Sequence, residues 1–250
     1  MDTLGTITPQ PASPAEAEHR TEALERLRYL AHSGTCGLVS GPTGTGKSWC
    51  LSELARQLRR EGVSAAQIDL AAVSPQELPW LVSLRLGSGL FTGTGPVECW
   101  MWLQDFADAS RASRRRLTFL IDHLEHADES VIAPLNRIIH AFGGSCSWIF
   151  AAAETIAPGW KSFLNEYVWL RIELQNLARR ESLQLLSRDM LQRGSAARFT
   201  PDGIEAAQQI AQGRIRKLQQ LAELASLASE ADGLTQIDAD MVHALAGELI

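Results

Sequence analysis

The chain has few cysteines, and their positions do not fit a metal site. The four cysteines among the 250 residues are Cys36, Cys50, Cys99 and Cys146. Their separations do not match the spacing of metal ligands, and most of them lie in apolar stretches, which is typical of buried free thiols. This pattern favours a reducing compartment, so we expect the protein to be cytoplasmic.

The sequence also lacks a long apolar run and an excess of positive charge. No apolar segment approaches the roughly 20 residues that a membrane-spanning helix requires, and no charged-then-apolar leader opens the chain. The formal net charge of −6 gives no overall electrostatic reason to expect nucleic acid. Basic side chains do cluster locally, at Arg111, Arg114, Arg115 and Arg116 and again at Arg214, Arg216 and Lys217. We expect no membrane span, and DNA is a partner that the net charge does not support.

The sequence does contain a glycine-rich segment, residues 41–48, of the form GxxxxGK[ST]. Its glycines allow positive φ and bring backbone N–H groups against a polyphosphate. Lys47, which we expect to be exposed in the loop, supplies a cation to the β and γ oxygens, and the Ser48 hydroxyl is placed to bind Mg²⁺. A strand-like run at 36–40 precedes the segment and helical periodicity at 48–58 follows it, so the phosphate would lie at a helix N-terminus.

This segment predicts binding of a nucleoside triphosphate with Mg²⁺. The residues expected to line the nucleotide are Gly41, Pro42, Thr43, Gly44, Thr45, Gly46, Lys47, Ser48 and the adjoining Trp49.

Strand and helix patterns alternate through the first two thirds of the chain. Strands are predicted at 36–40, 63–70, 117–122, 147–153 and 167–174. Long helical segments separate most of them, which is typical of a parallel sheet covered on both faces. The strand signals then stop, and helices are predicted at 178–193, 201–212, 214–230 and 238–249. The sequence therefore predicts a flexible leader (1–14), an α/β nucleotide-binding domain with a five-stranded parallel sheet (15–177) and a small all-helical domain (178–250).

A carboxylate ends the predicted strand 117–122 and is the candidate second metal ligand. Parallel strands deliver their carboxyl ends to one edge of the sheet, so Asp122 would project beside Lys47 and Ser48. The alternative is that Asp122 caps the following helix. Many ATPases of this type place a glutamate next, but this chain has His123 there. Glu125 could reach the γ-phosphate and activate water, or it could lie solvated at the start of the helix.

Two further polar positions could face the γ-phosphate. Glu154 and Thr155 follow the strand at 147–153, where Thr155 could donate a hydrogen bond and Glu154 could hold a water or a cation. A strand-terminating turn explains them equally well. In the helical part, Arg216 could fold back on the phosphates, or it could belong to a solvated basic face.

These motifs together resemble the ExeA/GspA-type branch of the AAA+ ATPases, which includes bacterial secretion-pathway ATPases and is akin to transposition ATPases. The resemblance is carried by Leu24–Leu30 leading into Gly41–Ser48, by Leu120–Asp128, and by Leu170–Leu177, Gly213–Ala222 and Gln236–Asp240. It extends over residues 14–250. It implies the P-loop AAA+ fold with a helical lid domain, ATP and Mg²⁺ as cofactors, and activity within an assembly.

The resemblance also assigns roles to single residues. It implies that Arg216 is the lid arginine, which joins Lys47, Asp122 and Glu125 as the candidate catalytic residues. Tyr167 stands near the position where relatives often carry an arginine that reaches a neighbouring subunit, which leaves Arg171 as the nearest candidate.

The predicted function is an ATPase that hydrolyses ATP slowly, because His123 replaces the usual glutamate, and that regulates or remodels a partner assembly. We expect a homo-oligomer and an unidentified protein partner. One alternative is a nucleotide-dependent switch or scaffold that does not hydrolyse ATP. The other is a DNA-associated ATPase of the transposition type that uses one of the two basic clusters.

Overall fold

The computed structural model describes residues 17–89 and 95–248. The predicted leader, residues 1–14, lies outside the described residues. The chain divides into two compact units, of which one contains residues 23–175 and the other contains residues 17–22 and 176–248. No helix in the described ranges combines the length and the hydrophobicity that crossing a membrane requires.

The larger unit is built on a parallel sheet of five strands in the order β2-β3-β4-β1-β5. The strands are β1 (Cys36–Ser40), β2 (Ser64–Asp69), β3 (Leu117–Asp122), β4 (Cys146–Ala152) and β5 (Leu170–Glu173). The first and third coincide with their predictions, and the second and fourth differ from theirs by one residue at each end. The parallel five-stranded sheet predicted from the sequence is therefore confirmed.

Helices cover both faces of this sheet. They are α1 (Ala17–Ser33), α2 (Lys47–Arg60), α3 (Leu78–Arg85), α4 (Pro96–Ala112), α5 (Ile132–Phe142) and α6 (Pro158–Tyr167). Because side chains alternate along a strand, Phe119 and Ile121 of β3 pack with α3–α6 on one face, whereas Leu120 packs with α1 and α2 on the other. Strands β3 and β4 are buried along their whole lengths, which explains their continuous apolar sequences.

The fifth strand is shorter than the prediction of 167–174. It begins at Leu170, because Tyr167 is the last residue of α6. The Tyr167 hydroxyl donates a hydrogen bond to Asn136 Oδ1 of α5 and lies 3.3 Å from His140 Nε2. This polar contact between two helices explains why an aromatic residue next to an apolar strand is not part of it.

The smaller unit is mainly helical, as predicted. Its helices are α7 (Arg179–Gln192), α8 (Pro201–Ala211), α9 (Ile215–Asp232) and α10 (Ala239–Ala246). The structure adds a two-stranded parallel pair that the sequence did not predict, formed by β6 (Arg198–Phe199) and β7 (Gln236–Ile237). The backbone N–H of Thr200 continues the pairing by donating to the Ile237 carbonyl at 2.9 Å. Strands of two residues are too short to give a periodic signal.

Candidate functional site

The glycine-rich segment forms the connection between β1 and α2. Gly41, Gly44 and Gly46 have φ angles of 150°, 89° and 96°, values that residues with a Cβ rarely adopt. Gly41 is constrained most, because a Cβ there would lie 2.2 Å from the carbonyl oxygen of Leu174, which follows β5. The loop therefore keeps its path close to the sheet only with glycine at this position.

Helix α2 begins at Lys47, so the last two residues of the loop 41–48 form the start of the helix. Its N-cap is Gly46, and no side chain of the described residues forms a capping hydrogen bond there. The first turn also carries no acidic residue. Helix N-termini leave backbone N–H groups for other acceptors and carry partial positive charge. The start of α2 is consequently suited to an anion rather than to a protein carboxylate.

Lys47 lies within the loop and is only 7% exposed, so the prediction of an exposed lysine is wrong. Its Nζ donates to the carbonyl oxygens of Gly41 at 2.9 Å and Pro42 at 3.1 Å. Burial lowers the pKa of Lys47, and the negative charges of Glu125, Asp122 and Glu154 oppose that shift. The structure therefore brings three predicted carboxylates into the neighbourhood of the loop lysine. A buried ammonium among them can attract a polyphosphate in a water-poor setting.

Asp122 is the last residue of β3 and is 4% exposed. Its Oδ1 accepts a hydrogen bond of 2.9 Å from the backbone N–H of His123. The next helical turn (Leu124–His126) has His123 as its N-cap, without a side-chain cap, so Asp122 does not cap it. The capping carboxylate is Asp128, which accepts from the N–H of Ser130 at 2.8 Å. Asp122 is therefore not the capping residue, and its negative charge acts on Lys47 of the loop.

His123 links the metal-ligand candidate Ser48 to a residue that the sequence did not single out. Its Nδ1 lies 2.9 Å from Oδ1 of Asp69, and its Nε2 lies 3.5 Å from Oγ of Ser48. Asp69 ends β2 as Asp122 ends β3, and the two residues are register partners. The sequence signal for Asp69 was that a carboxylate ends a second strand of the sheet. It was overlooked because the predicted strand 63–70 extended past Asp69 to Leu70.

Glu125 lies in the turn after β3 and contacts the end of β4, and Glu154 follows β4 in the chain. Oε2 of Glu125 accepts a hydrogen bond of 3.0 Å from the backbone N–H of Ala153, which ties this carboxylate to the sheet edge. Glu154 and Thr155 are exposed in the following turn. Glu125 is therefore the better placed of the two glutamates to keep a fixed position.

Two candidate arginines lie on exposed surfaces. Arg216 is exposed on α9, in the smaller unit. Arg171 is exposed on the edge strand β5 and donates a hydrogen bond of 2.6 Å to Oδ1 of Asn165. Their roles remain predictions.

Two further residues of the predicted nucleotide site, Trp49 and Thr45, are at least partly buried. Trp49 is partly buried beside the core formed by α1 and α2, and Thr45 is buried and donates its hydroxyl to the Pro42 carbonyl at 2.9 Å. Within the described residues, no group of three or more His, Cys, Asp or Glu side chains could hold a metal ion. Mg²⁺ usually needs only one or two protein ligands when phosphates supply the others. Ser48 and Asp122 fit that requirement.

Comparison with known proteins gives one family match. The sequence profile of the family described as AAA domain matches residues 27–158, which is more than half of the chain and includes the loop, α2 and β3. No curated protein matches the chain.

Solved structures share the fold. Cdc6p from Pyrobaculum aerophilum is similar with a TM-score of 0.74 and 13% identity, over 98% of this chain and 70% of that one. The RuvB Holliday junction branch migration motor of Thermotoga maritima is similar with a TM-score of 0.58 and 15% identity, over 95% of this chain and 70% of that one. At such identities the likeness shows the fold alone, which is that of a P-loop AAA+ ATPase. With the family profile, the phosphate loop and the parallel sheet in agreement, the chain belongs to the AAA domain family.

Proposed function

We propose that the protein binds Mg·ATP at the Gly41–Ser48 loop and hydrolyses it slowly to regulate or remodel a partner assembly. The observation that best supports this proposal is that carboxylates at and after the end of β3 lie near the loop lysine. The negative charges of Asp122 and Glu125 act on Lys47, which is the first residue of α2, a helix without a side-chain cap at its start. Lys47 and the helix start would attract the phosphates, and a divalent cation between the phosphates and the carboxylates would offset part of their mutual repulsion.

The chain's own residues would hold the cofactor in distinct ways. The loop backbone and α2 would bind the phosphates, and Lys47 would exchange its bonds to the Gly41 and Pro42 carbonyls for β and γ oxygens. Ser48 would bind Mg²⁺ directly, and Asp122 would hold it through water. When bound, Mg²⁺ neutralises the charge that collects on the phosphate oxygens.

Slow hydrolysis is proposed because the usual glutamate is absent. His123 occupies its place and is engaged by Asp69 and Ser48. Glu125 follows His123 by two residues, and its bond to Ala153 holds it where it could orient water toward the γ-phosphate. We propose Glu125 as the water-orienting residue.

The finer family placement and the assembly are also proposals. The three sequence segments resembling the ExeA/GspA-type branch support a helical lid that carries Arg216 and an oligomer in which Arg171 completes a neighbour's site. Both arginines are exposed, so each has a side chain free of the core. We propose a homo-oligomer acting on an unidentified protein partner.

Two specific observations favour alternatives. The engagement of His123 by Asp69 and Ser48 favours a switch that binds ATP without turnover.

The exposed arginine cluster at 111–116 favours the other alternative, a DNA-associated ATPase. RuvB, a structural relative, is described as a Holliday junction branch migration motor. That cluster immediately precedes β3, so it lies at the opposite edge of the sheet from Asp122. Turnover stimulated by DNA and lost with rising salt would identify the DNA-associated activity.

Steady-state hydrolysis by the wild type and by Asp122→Asn tests the proposal. Asparagine keeps the oxygen that accepts from His123 but removes the charge, so turnover should fall about 100-fold or more. The fold should be retained, as judged by thermal unfolding. Wild-type protein that binds ATP without any turnover would contradict the ATPase and support the switch.

A further inference from the structure

Both ring nitrogens of His123 are engaged. Oδ1 of Asp69 lies 2.9 Å from Nδ1 and also accepts the backbone N–H of Ala71 at 2.9 Å, which fixes the carboxylate in place. An ionised carboxylate only accepts hydrogen bonds, so Nδ1 carries the ring proton. In the neutral ring, Nε2 then presents its lone pair toward Ser48 Oγ, 3.5 Å away.

This arrangement has the form of a histidine that binds a metal. Metal-ligating histidines almost always donate their second ring N–H to a carboxylate or carbonyl, which fixes the tautomer and the ring orientation. Asp69 provides that carboxylate, and it comes from a different strand of the sheet. Neighbouring ligands of an octahedral ion at about 2.1 Å lie roughly 3 Å apart. The separation between Nε2 and the Ser48 hydroxyl is close to that distance.

We propose that His123 is a ligand of the divalent cation that accompanies the nucleotide, with Asp69 as its positioning residue. The inference rests on the proposed binding of ATP with a cation at Ser48. Among first-row transition-metal ions Mn²⁺ binds imidazole least strongly, but it still accepts this ligand more readily than Mg²⁺, which prefers oxygen ligands and keeps its waters. The site should therefore favour Mn²⁺ over Mg²⁺ more strongly than the same loop does without the imidazole.

The cation should bind only together with the nucleotide. No group of three or more His, Cys, Asp or Glu side chains in the described ranges forms a metal site without other ligands. Ser48 and His123 would supply part of a coordination shell, with Asp122 acting through a bound water, and phosphate oxygens are needed to complete it. Mn²⁺ alone should consequently bind at least about tenfold more weakly than Mn²⁺ with nucleotide.

The test is pulsed electron paramagnetic resonance of Mn²⁺ with the β,γ-methylene analogue of ATP, on the full chain. This analogue has no bridging nitrogen, so a strongly coupled ¹⁴N signal comes from a coordinated imidazole or adenine ring, which the His123 variant distinguishes, and ³¹P couplings report coordinated phosphates. Equilibrium dialysis measures the bound fraction. We expect wild-type protein to bind the complex and to show both couplings.

A matched pair of histidine variants identifies which residue gives the ¹⁴N coupling. His123 has φ 59°, and asparagine tolerates this conformation better than most residues, so His123→Asn should fold. It should lose the ¹⁴N coupling and reduce the preference for Mn²⁺ over Mg²⁺ about tenfold. His126 is exposed, with its ring centroid 6.0 Å from that of His123. His126→Asn should retain both the coupling and the preference.

Asp69 is tested by conservative rescue. Asp69→Ala should weaken Mn²⁺–nucleotide binding about tenfold, within the range seen when the partner of a metal ligand is lost. Asp69→Asn retains an oxygen that accepts from Nδ1, so it should recover much of the affinity and an imidazole coupling. Equal effects of the two variants would contradict the positioning role.

The outcomes separate this proposal from the proposed function. Bound complex with ³¹P but without ¹⁴N coupling would overturn His123 as a ligand and leave ATP binding intact. Persistence of the ¹⁴N coupling in His123→Asn would also overturn it. Failure of the wild type to bind the analogue with either Mn²⁺ or Mg²⁺ would overturn the nucleotide site and, with it, this proposal.

Discussion

Oε2 of Glu125 accepts a hydrogen bond of 3.0 Å from the backbone N–H of Ala153, and this bond joins the segment after β3 to the end of β4. The two residues belong to adjacent strand ends, so the carboxylate is fixed by the sheet rather than by its own turn. Its charge acts on Lys47 and opposes the lowering of that pKa by burial. Glu125 is therefore a carboxylate held close to the expected phosphate position.

We predict that Glu125→Gln lowers Mg·ATP turnover about 10- to 100-fold, because the amide keeps an oxygen for the Ala153 N–H but cannot act as a base. Wild-type turnover should itself lie well below the roughly 10 per second typical of enzymes. Steady-state phosphate release measures the turnover of the wild type and of Glu125→Gln. Unchanged turnover in Glu125→Gln would remove this residue from the mechanism.

His123→Glu should raise turnover, because it restores an ionised carboxylate next to Asp122. The left-handed backbone of His123 costs glutamate roughly 1 kcal/mol, so thermal unfolding must accompany the assay. The matched control is His123→Asn, which removes the imidazole without supplying a charge and should not raise turnover. Fast wild-type hydrolysis that neither His123→Glu nor Glu125→Gln affects would show that the water-activating group lies elsewhere, at Glu154 or on a neighbouring subunit.

Arg171 provides a prediction about assembly. If Arg171 completes a neighbouring subunit's site, specific activity should rise with protein concentration and ATP should enlarge the particle. Arg171→Ala should lower activity about tenfold or more while ATP affinity is retained. Arg85→Ala, at an exposed arginine of α3 in the same unit, is the control and should behave like the wild type. A monomer with activity strictly proportional to its concentration would exclude the shared site.

Alanine substitutions at Gly41 and Gly62 distinguish the cost of a steric clash from the cost of backbone strain. Both have positive φ, but a Cβ at Gly41 would lie 2.2 Å from the Leu174 carbonyl oxygen, whereas a Cβ at Gly62 meets nothing within 4 Å. Gly62→Ala should lower the free energy of unfolding by about 1 kcal/mol. Gly41→Ala should cost about 2 kcal/mol more, because the strand end must move. Denaturant unfolding compares them, and equal losses would contradict the close packing of loop and sheet.

The buried thiols should react slowly. Burial raises the pKa of Cys146 from 9.0 to about 11, although Ser145 and Arg111 act in the opposite direction. At pH 8 the thiolate fraction of Cys146 is about 100-fold smaller than that of a thiol with the ordinary pKa. Because the thiolate is the reactive form, the labelling rate should rise about tenfold per pH unit up to about pH 11. The rate of labelling by an aromatic disulfide is compared between the native and the unfolded protein. The Cys146→Ser variant is the control that identifies the contribution of Cys146. Rapid labelling of native Cys146 at pH 8 would contradict its burial.

Local patterns predicted most of the fold and the centre of the site. The apolar run that ends at Asp122 and the glycine-rich motif each carry their information within a few residues. Asp69 was missed because the predicted strand 63–70 ran past it, and because its contact with His123 depends on β2 lying beside β3, which is a matter of strand order rather than of local sequence. Tyr167 was misassigned for a similar reason, since its hydroxyl is held by Asn136 on another helix.

The most direct test of the account is Mg·ATP binding by wild type and Lys47→Ala, followed through the fluorescence of Trp49 and by calorimetry. Loss of two charge-assisted hydrogen bonds to the phosphates should weaken affinity about 100-fold or more. Circular dichroism should show a retained fold, and Lys161→Ala, at an exposed lysine of α6, should bind normally. Wild-type affinity in a folded Lys47→Ala variant would contradict the phosphate-loop site on which the proposed function rests.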